Sequence, residues 1–286
     1  MSMSLIEPDE LRADARARWE RASAGWGKRA DRIRDWGMPV SMAMVDALAL
    51  QPGQTVLELA AGPGDTGFLA AELVQPGGTL ISSDGAEAMV EVARQRAQAG
   101  GIRNVEFRQL ELEWIDLETA SVDGVLCRWG IMLILDPAAA AQEIRRVLRP
   151  GTRAAFAVWD AAERNPWATI PSAVMIRRGH AQPPDPDAPG MFALAAPGAL
   201  EELLGAAGFT DVIVRPTELA RHYPEPAAFV TETADMSPLF GATYAELPAV
   251  EREAIGADVI TALEPFTDPD GGATLPGSSL VAVATA

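Results

Sequence analysis

The sequence predicts an α/β protein built on a doubly wound, mostly parallel sheet. Short apolar runs alternate with helix-prone stretches, two of those runs end in an acid (Glu58 and Asp84), and the first leads at once into a glycine-rich turn and a helix. At 286 residues, 48% of them hydrophobic, the chain has material for one large domain or a domain plus a cap.

Thr55-Val-Leu-Glu-Leu59 reads as a strand buried on both faces, and Gly62-Pro-Gly64 as the turn after it. Asp65-Thr66, followed by Phe68, Leu69, Ala71 and Leu73, reads as a helix that starts where the turn ends. A side chain at Gly62 or Gly64 would hold a ligand away from the backbone. The spacing Gly62-x-Gly64-x-x-Gly67 matches a dinucleotide-binding fingerprint, which is a weak signal taken alone. Glu58 points elsewhere. A carboxylate at the end of this strand, facing the crevice, would repel a pyrophosphate and hold an ammonium or sulfonium.

With these residues in view, the segment resembles motif I of the class I S-adenosylmethionine (SAM)-dependent methyltransferases, in which an acid closes the first strand before a glycine-rich loop. The resemblance implies SAM as cofactor, S-adenosylhomocysteine as product, and a Rossmann-like seven-stranded sheet with helical cap insertions. It places Glu58, Ala60, Ala61, Gly62 and Gly64 at the cofactor.

Before this unit, residues 9–36 form a charged, helix-prone arm carrying Trp19, Trp26 and Trp36, and Met38 to Leu50 form a second, amphipathic helix rich in methionine. After it, Thr79 to Asp84 is a second buried strand. Asp84 falls where a doubly wound site places the carboxylate for the ribose hydroxyls, a position that a SAM site and an NAD site share. Gly85, expected at the cofactor beside Asp84, begins the next helix, which runs to Ala99. Its Met89 would lie near the crevice, although methionine in such a place is more often core.

Asn104 to Gln109 is a third strand, followed by Glu111-Leu112-Glu113. Methyltransferases of the ubiquinone/menaquinone-biosynthesis type usually carry Asp-Ala-Glu here, the carboxylate meeting the adenine amino group. The resemblance therefore gives Glu111, Leu112 and Glu113 to the adenine, with glutamate in place of aspartate as a departure. Ser121 to Arg128 is the fourth strand. Arg128, a cation at a strand's C-terminal end, suits the carboxylate of the methionine moiety or an acidic neighbour. Asp136-Pro137 starts a helix through Leu148, and Ala154 to Val158 is the fifth strand. The string Glu143-Ile-Arg-Arg-Val-Leu-Arg-Pro-Gly151 is similar to the same family.

From Trp159 the pattern changes. Residues 160–195 are rich in Pro, Ala and Gly and read as an insertion over the site, with Pro183 to Asp187 as a loop. Gly198 to Ala207 and Gly208 to Val214 return to the core, a helical stretch over about 225–264 intervenes, and Ser279 to Val283 is the last strand, forming an antiparallel hairpin with the one before it. The expected organisation is an N-terminal helical arm (1–50), a cofactor-binding core (51–160), a cap insertion (161–196), and completion of the core (197–286) with a second helical insertion over about 222–275.

Trp26, Trp129, Met132, Trp159, Trp167 and Phe192 are the expected acceptor-binding residues, a set that favours a small, largely apolar molecule. No catalytic side chain is assigned. By pKa, His180 and His222 are the candidates for a general base toward a hydroxyl acceptor, whereas a soft carbon or nitrogen nucleophile needs only orientation.

A formal net charge of −17 disfavours nucleic acid and anionic membrane surfaces as partners. The single Cys127 forms no internal disulfide, and no Cys/His cluster offers a metal site. With no apolar leader or spanning run, the chain reads as a cytoplasmic protein whose partner is a small-molecule acceptor; a homodimer is the assembly considered, and the sequence does not fix the oligomeric state. The competing readings are an NAD(P)-dependent oxidoreductase, which leaves Glu58 and the Glu111–Glu113 segment unexplained, and a non-catalytic SAM-binding protein.

Overall fold

The computed structural model describes residues 7–185 and 188–286. The end of the proline-rich loop expected over 183–187, and the N-terminal residues 1–6, lie outside the described residues. Seven strands form one sheet in the order β3-β2-β1-β4-β5-β7-β6: β1 (Thr55–Leu59), β2 (Thr79–Asp84), β3 (Val105–Gln109), β4 (Val122–Arg128), β5 (Leu148–Trp159), β6 (Thr210–Tyr223) and β7 (Ala273–Thr285). All neighbours are parallel except β7, which runs antiparallel to both β5 and β6.

From β1 the chain first builds outward to β2 and β3 through α2 (Asp65–Leu73) and α3 (Glu87–Ala99). It then returns to the far side of β1 to add β4, α4 (Pro137–Val147) and β5. Right-handed crossovers in opposite directions put the two helix sets on opposite faces, and the crevice opens where the order reverses, between β1 and β4. The buried-strand reading holds for β1, where Val56, Leu57 and Leu59 are fully buried, and for β4, with Val125, Leu126 and Cys127.

The N-terminal arm differs from expectation. Instead of two helices it is one 41-residue helix, α1 (Pro8–Leu48), with Pro39 inside it. Proline removes one backbone donor, but the carbonyl it leaves belongs to Asp35 on an exposed turn of the helix, open to solvent. Ala22, Ala30, Ile33, Val40, Met44 and Leu48 recur at helical spacing as its buried stripe. At about 1.5 Å per residue the helix is roughly 60 Å long, enough to rise beside the sheet and continue across its C-terminal rim.

The last strands are also longer than their apolar cores. β5 begins at Leu148 rather than Ala154, β6 runs to Tyr223 rather than ending near Val214, and β7 begins at Ala273 rather than Ser279. β5 meets β7 only from Ser279 onward, so the part of the hairpin with Arg221 opposite Leu275 and Tyr223 opposite Ala273 projects beyond the sheet. α5 (Pro166–Arg177) and the run α7 (Pro226–Met236), α8 (Pro238–Glu246) and α9 (Ala249–Ala262) pack on this projection. They share a second core containing Tyr223, Phe229, Ile255, Val259 and Leu275. α6 (Ala199–Ala206) returns to the main core beside α4.

Candidate functional site

The two strands that flank the crevice both leave the sheet through a non-glycine residue in the left-handed region: Ala60 after β1 (φ 50°) and Trp129 after β4 (φ 58°). Strained backbone of this kind persists where the surroundings enforce it. The two turns also touch, since a Cβ on Gly130 would stand 2.5 Å from the Cβ of Ala60.

Within the β1–α2 turn, Gly62 and Gly64 hold φ of 54° and 89°. Gly67 is glycine for a different reason: a Cβ there would meet Glu58 Oε2 at 2.1 Å. Glu58 does not face the crevice. Its carboxylate turns under the turn, accepting the Gly67 N–H (2.7 Å) and the Ser82 hydroxyl (3.2 Å), and only 3% of the residue is exposed. Unpaired amides at the start of α2 compete for an anion, and here they win it from any ligand. Burial, more than the opposing hydrogen bonds, pushes the Glu58 carboxyl up to about 7.

Asp84 closes β2 beside the same turn. It accepts the Gly62 N–H at 2.9 Å through Oδ2 and the Ala86 N–H at 3.0 Å through Oδ1. Burial, aided by the nearby carboxylates of Glu111 and Glu20, raises its carboxyl to about 6. Gly85 follows, and a Cβ there would lie 3.2 Å from the Glu111 carboxylate. Leu112 is buried below. Met89 is also buried, packed into α3's inner face.

Glu111 and Glu113 are both met by α1. Arg16 pairs with Glu111 at 2.9 Å, and Arg12 pairs with Glu113 at 2.7 Å, while Glu113 also accepts the Asp136 N–H at 2.8 Å. α1 contributes further: the Glu20 carboxylate accepts the N–H groups of Glu87 (2.7 Å) and Ala88 (3.0 Å), capping an α3 that has no side-chain cap of its own. Trp26 lies against Gly62 and donates its Nε1–H to the Met236 carbonyl at 2.8 Å. Thus α1 is laid along the crevice from Glu113 to Arg128 at the end of β4.

At that end Arg128 is buried. Its Nη1 donates to Ser41 Oγ at 3.0 Å, its guanidinium lies over the Trp129 ring at 4.6 Å, and Nη2 is 3.9 Å from Asp65 Oδ2. Asp65 Oδ1 is bound by Arg96 at 2.7 Å, but buried Oδ2 has no hydrogen-bond partner among the described residues. Ser41 Oγ also meets Thr66 Oγ1 at 2.9 Å, tying α1, α2 and β4 together.

Beyond Arg128 the tryptophans converge. Trp129 stacks on Trp159 at 4.2 Å between ring centres and on Trp36 at 5.3 Å, and Trp159 meets Trp167 edge-on at 4.7 Å. Trp129 Nε1 donates to Ser279 Oγ at 3.0 Å. Met132 is buried beside them, and the Gly190 N–H donates to its carbonyl at 3.1 Å, which seats the segment carrying half-buried Phe192. Sequence reading missed the residue at the heart of this cluster, Arg221. Its guanidinium stacks between Trp36 (3.7 Å) and Trp167 (3.4 Å), and burial brings its pKa down to about 10.

The two histidines stand apart from this cluster. His180 on the α5 side meets Glu251 at 2.9 Å, and half-exposed His222 meets Thr274 at 3.1 Å and Asp268 at 3.3 Å. Neither is hydrogen-bonded or ion-paired to a residue of the crevice among the described residues.

Residues 50–177 match the methyltransferase domain family. An arsenite methyltransferase from Halobacterium salinarum is 33% identical over 59% of this chain and 41% of its own length. A ubiquinone/menaquinone biosynthesis C-methyltransferase from Hahella chejuensis is 33% identical over 38% of this chain and 44% of its own. The chain spans less than half the length of the first curated relatives it matches. Among solved structures, the YcgJ protein from Bacillus subtilis superposes with a TM-score of 0.58 at 18% identity, covering 86% of this chain and 97% of its own. No described helix is long and apolar enough to cross a membrane. Residues 50–177 therefore carry a methyltransferase domain, set in a seven-stranded sheet whose antiparallel β7 lies next to the edge.

Proposed function

We propose that the chain binds SAM in the β1–β4 crevice and transfers its methyl group to a small, largely apolar acceptor held at the tryptophan cluster. The observation that carries this is the Asp65–Arg128 pair: a buried cation and a buried carboxylate oxygen without a partner, 3.9 Å apart, at the end of the glycine turn. An amino acid's zwitterion suits such a pair, its carboxylate on Arg128 and its ammonium on Asp65. A dinucleotide's pyrophosphate does not, because it would meet the Asp84 carboxylate at the turn, with Glu111 and Glu20 beside it, and the Asp65 oxygen that Arg96 leaves unbonded.

In this reading Asp84 takes the ribose hydroxyls, and Gly85, Glu111 and Leu112 form the adenine side. Ala60, Ala61, Gly62 and Gly64 line the turn with backbone alone. Glu58 holds the turn in shape through Gly67. Glu113 anchors α1. When bound, SAM supplies an electrophilic methyl on a sulfonium. The chain contributes orientation and dryness: Trp129 and Trp159 give a flat apolar wall, and α1 excludes water from above. With His180 and His222 engaged elsewhere, the reading favours an acceptor whose nucleophile is already acidic or soft. The helical insertions over 161–196 and about 222–275 serve as the cap.

The test is release of S-adenosylhomocysteine from SAM, measured with the purified chain against a panel of quinols, phenols and polyketide-like enols. Acceptor-dependent release is expected. SAM binding with no release for any acceptor would mark a non-catalytic SAM-binding protein instead.

A further inference from the structure

Arg221 carries an inference that deepens the acceptor assignment. Within the second half of β6, Leu219, Arg221 and Tyr223 alternate inward while Ala220 and His222 face out, so the arginine is set into the interior by strand periodicity. It is 5% exposed, and no carboxylate forms an ion pair with it among the described residues. The nearest acid, Glu232, accepts the Tyr223 hydroxyl at 2.6 Å and pairs with Arg32 at 3.3 Å. Buried Nε of Arg221 has no hydrogen-bond partner among the described residues.

The Tyr223 side chain, the more distant Glu232 carboxylate and the tryptophan rings offset only part of the desolvation of a guanidinium, so a buried cation with no ion pair among the described residues, in a chain of net charge −17, is a poor structural choice. Trp36 and Trp167 crowd the guanidinium at 3.7 and 3.4 Å from its carbon, and its Nε edge is left without a partner among the described residues. There, Nε and one terminal nitrogen form a fork that matches the two oxygens of a carboxylate. The same tryptophans supply flat apolar surface for a ring system next to it.

We propose that Arg221 and the surrounding tryptophans form an anion-recognising acceptor subsite, and that the acceptor is a planar, conjugated molecule bearing a carboxylate. This rests on the reading of the cluster as the acceptor site. One wall, Trp36, belongs to α1, so entry requires that helix to shift.

The test uses intrinsic tryptophan fluorescence of the full chain with S-adenosylhomocysteine present, titrated with 2-naphthoate and with its neutral isostere 2-naphthamide. Saturable quenching by the naphthoate is expected, at least about tenfold tighter than the amide, as a charge-assisted fork provides. Arg221→Met should reduce that preference to within about twofold, and Arg221→Lys should keep part of it. A melting temperature of Arg221→Met equal to or above that of the native chain is expected, because a buried charge without an ion pair is removed. Equal binding of acid and amide, unchanged preference in Arg221→Met, or no quenching by either probe would each overturn the proposal. Failure here with S-adenosylhomocysteine still bound by calorimetry leaves the methyltransferase reading intact; absence of that binding removes both.

Discussion

Gly130 and Ala60 face each other across the crevice so closely that a Cβ on the first would come within 2.5 Å of the Cβ of the second. Ala60 and Trp129, the residue before Gly130, are both held at positive φ, so neither turn has slack to retreat. We predict that Gly130→Ala pushes the glycine turn out of place, costing about 1–3 kcal/mol of stability, as overpacking does. S-adenosylhomocysteine binding should weaken by about tenfold or more. Melting curves and calorimetry on the variant check both. A variant that binds normally would show that the two turns move independently.

Asp84 holds the turn from the other side, through Gly62 and Ala86. Asp84→Ala removes these bonds together with the proposed ribose contact. The expected loss of S-adenosylhomocysteine affinity is about 1–3 kcal/mol, as for hydrogen bonds to a charged group. Full affinity in a folded variant would remove Asp84 from the site.

For Asp65 and Arg128 the prediction is selective. S-adenosylhomocysteine carries an amino acid, whereas 5′-methylthioadenosine lacks it. Asp65→Asn and Arg128→Met should each weaken the former by about tenfold and leave the latter within about twofold. Parallel losses for both ligands would indicate a general disturbance of the crevice.

The pH dependence of stability reports on Glu58. Its carboxyl rises from the ordinary 4.5 to about 7 in the fold, because the charged form is buried. In that window the native chain binds more protons than the unfolded chain, so this group's contribution is complete below about pH 4.5 and is lost as pH rises through about 7. Asp84 acts in the same sense between 3.8 and about 6. At about 1.4 kcal/mol per unit the Glu58 effect is on the order of 3 kcal/mol. Melting temperature should therefore fall between pH 5 and 8 for the native chain and fall less for Glu58→Gln. Identical profiles would show that Glu58 does not titrate in the folded state.

Much of this architecture was legible in the sequence because it is written in short, unambiguous pieces. The β1 run, its glycine turn and the strand ending at Asp84 need neither neighbours nor distant contacts to be recognised. What was hidden depended on side-chain direction or long-range packing. That Glu58 turns inward follows from the amide of Gly67, nine residues on, which no pattern of apolar residues reveals. The outer half of β6 reads as polar because Glu218, Arg221 and His222 punctuate it, although its alternation of Leu219, Arg221 and Tyr223 was the available signal. The arm reads as two helices, 9–36 and 38–50, because its composition shifts from charged to methionine-rich, and only the packing of Trp36 and Val40 on the same face shows the helix continuing. Trp19, Trp26 and Trp36 did announce that the arm covers something; Gly62 and Arg221 are what Trp26 and Trp36 cover.

The central claim is that the acid-lined crevice between β1 and β4 accepts an adenosine linked to an amino acid and refuses one linked to a diphosphate. Calorimetric titration of the folded chain with S-adenosylhomocysteine, and separately with NAD+, measures this directly. Saturable heat with the first and none with the second is the result expected. Tight uptake of NAD+ with no heat from S-adenosylhomocysteine would contradict the account.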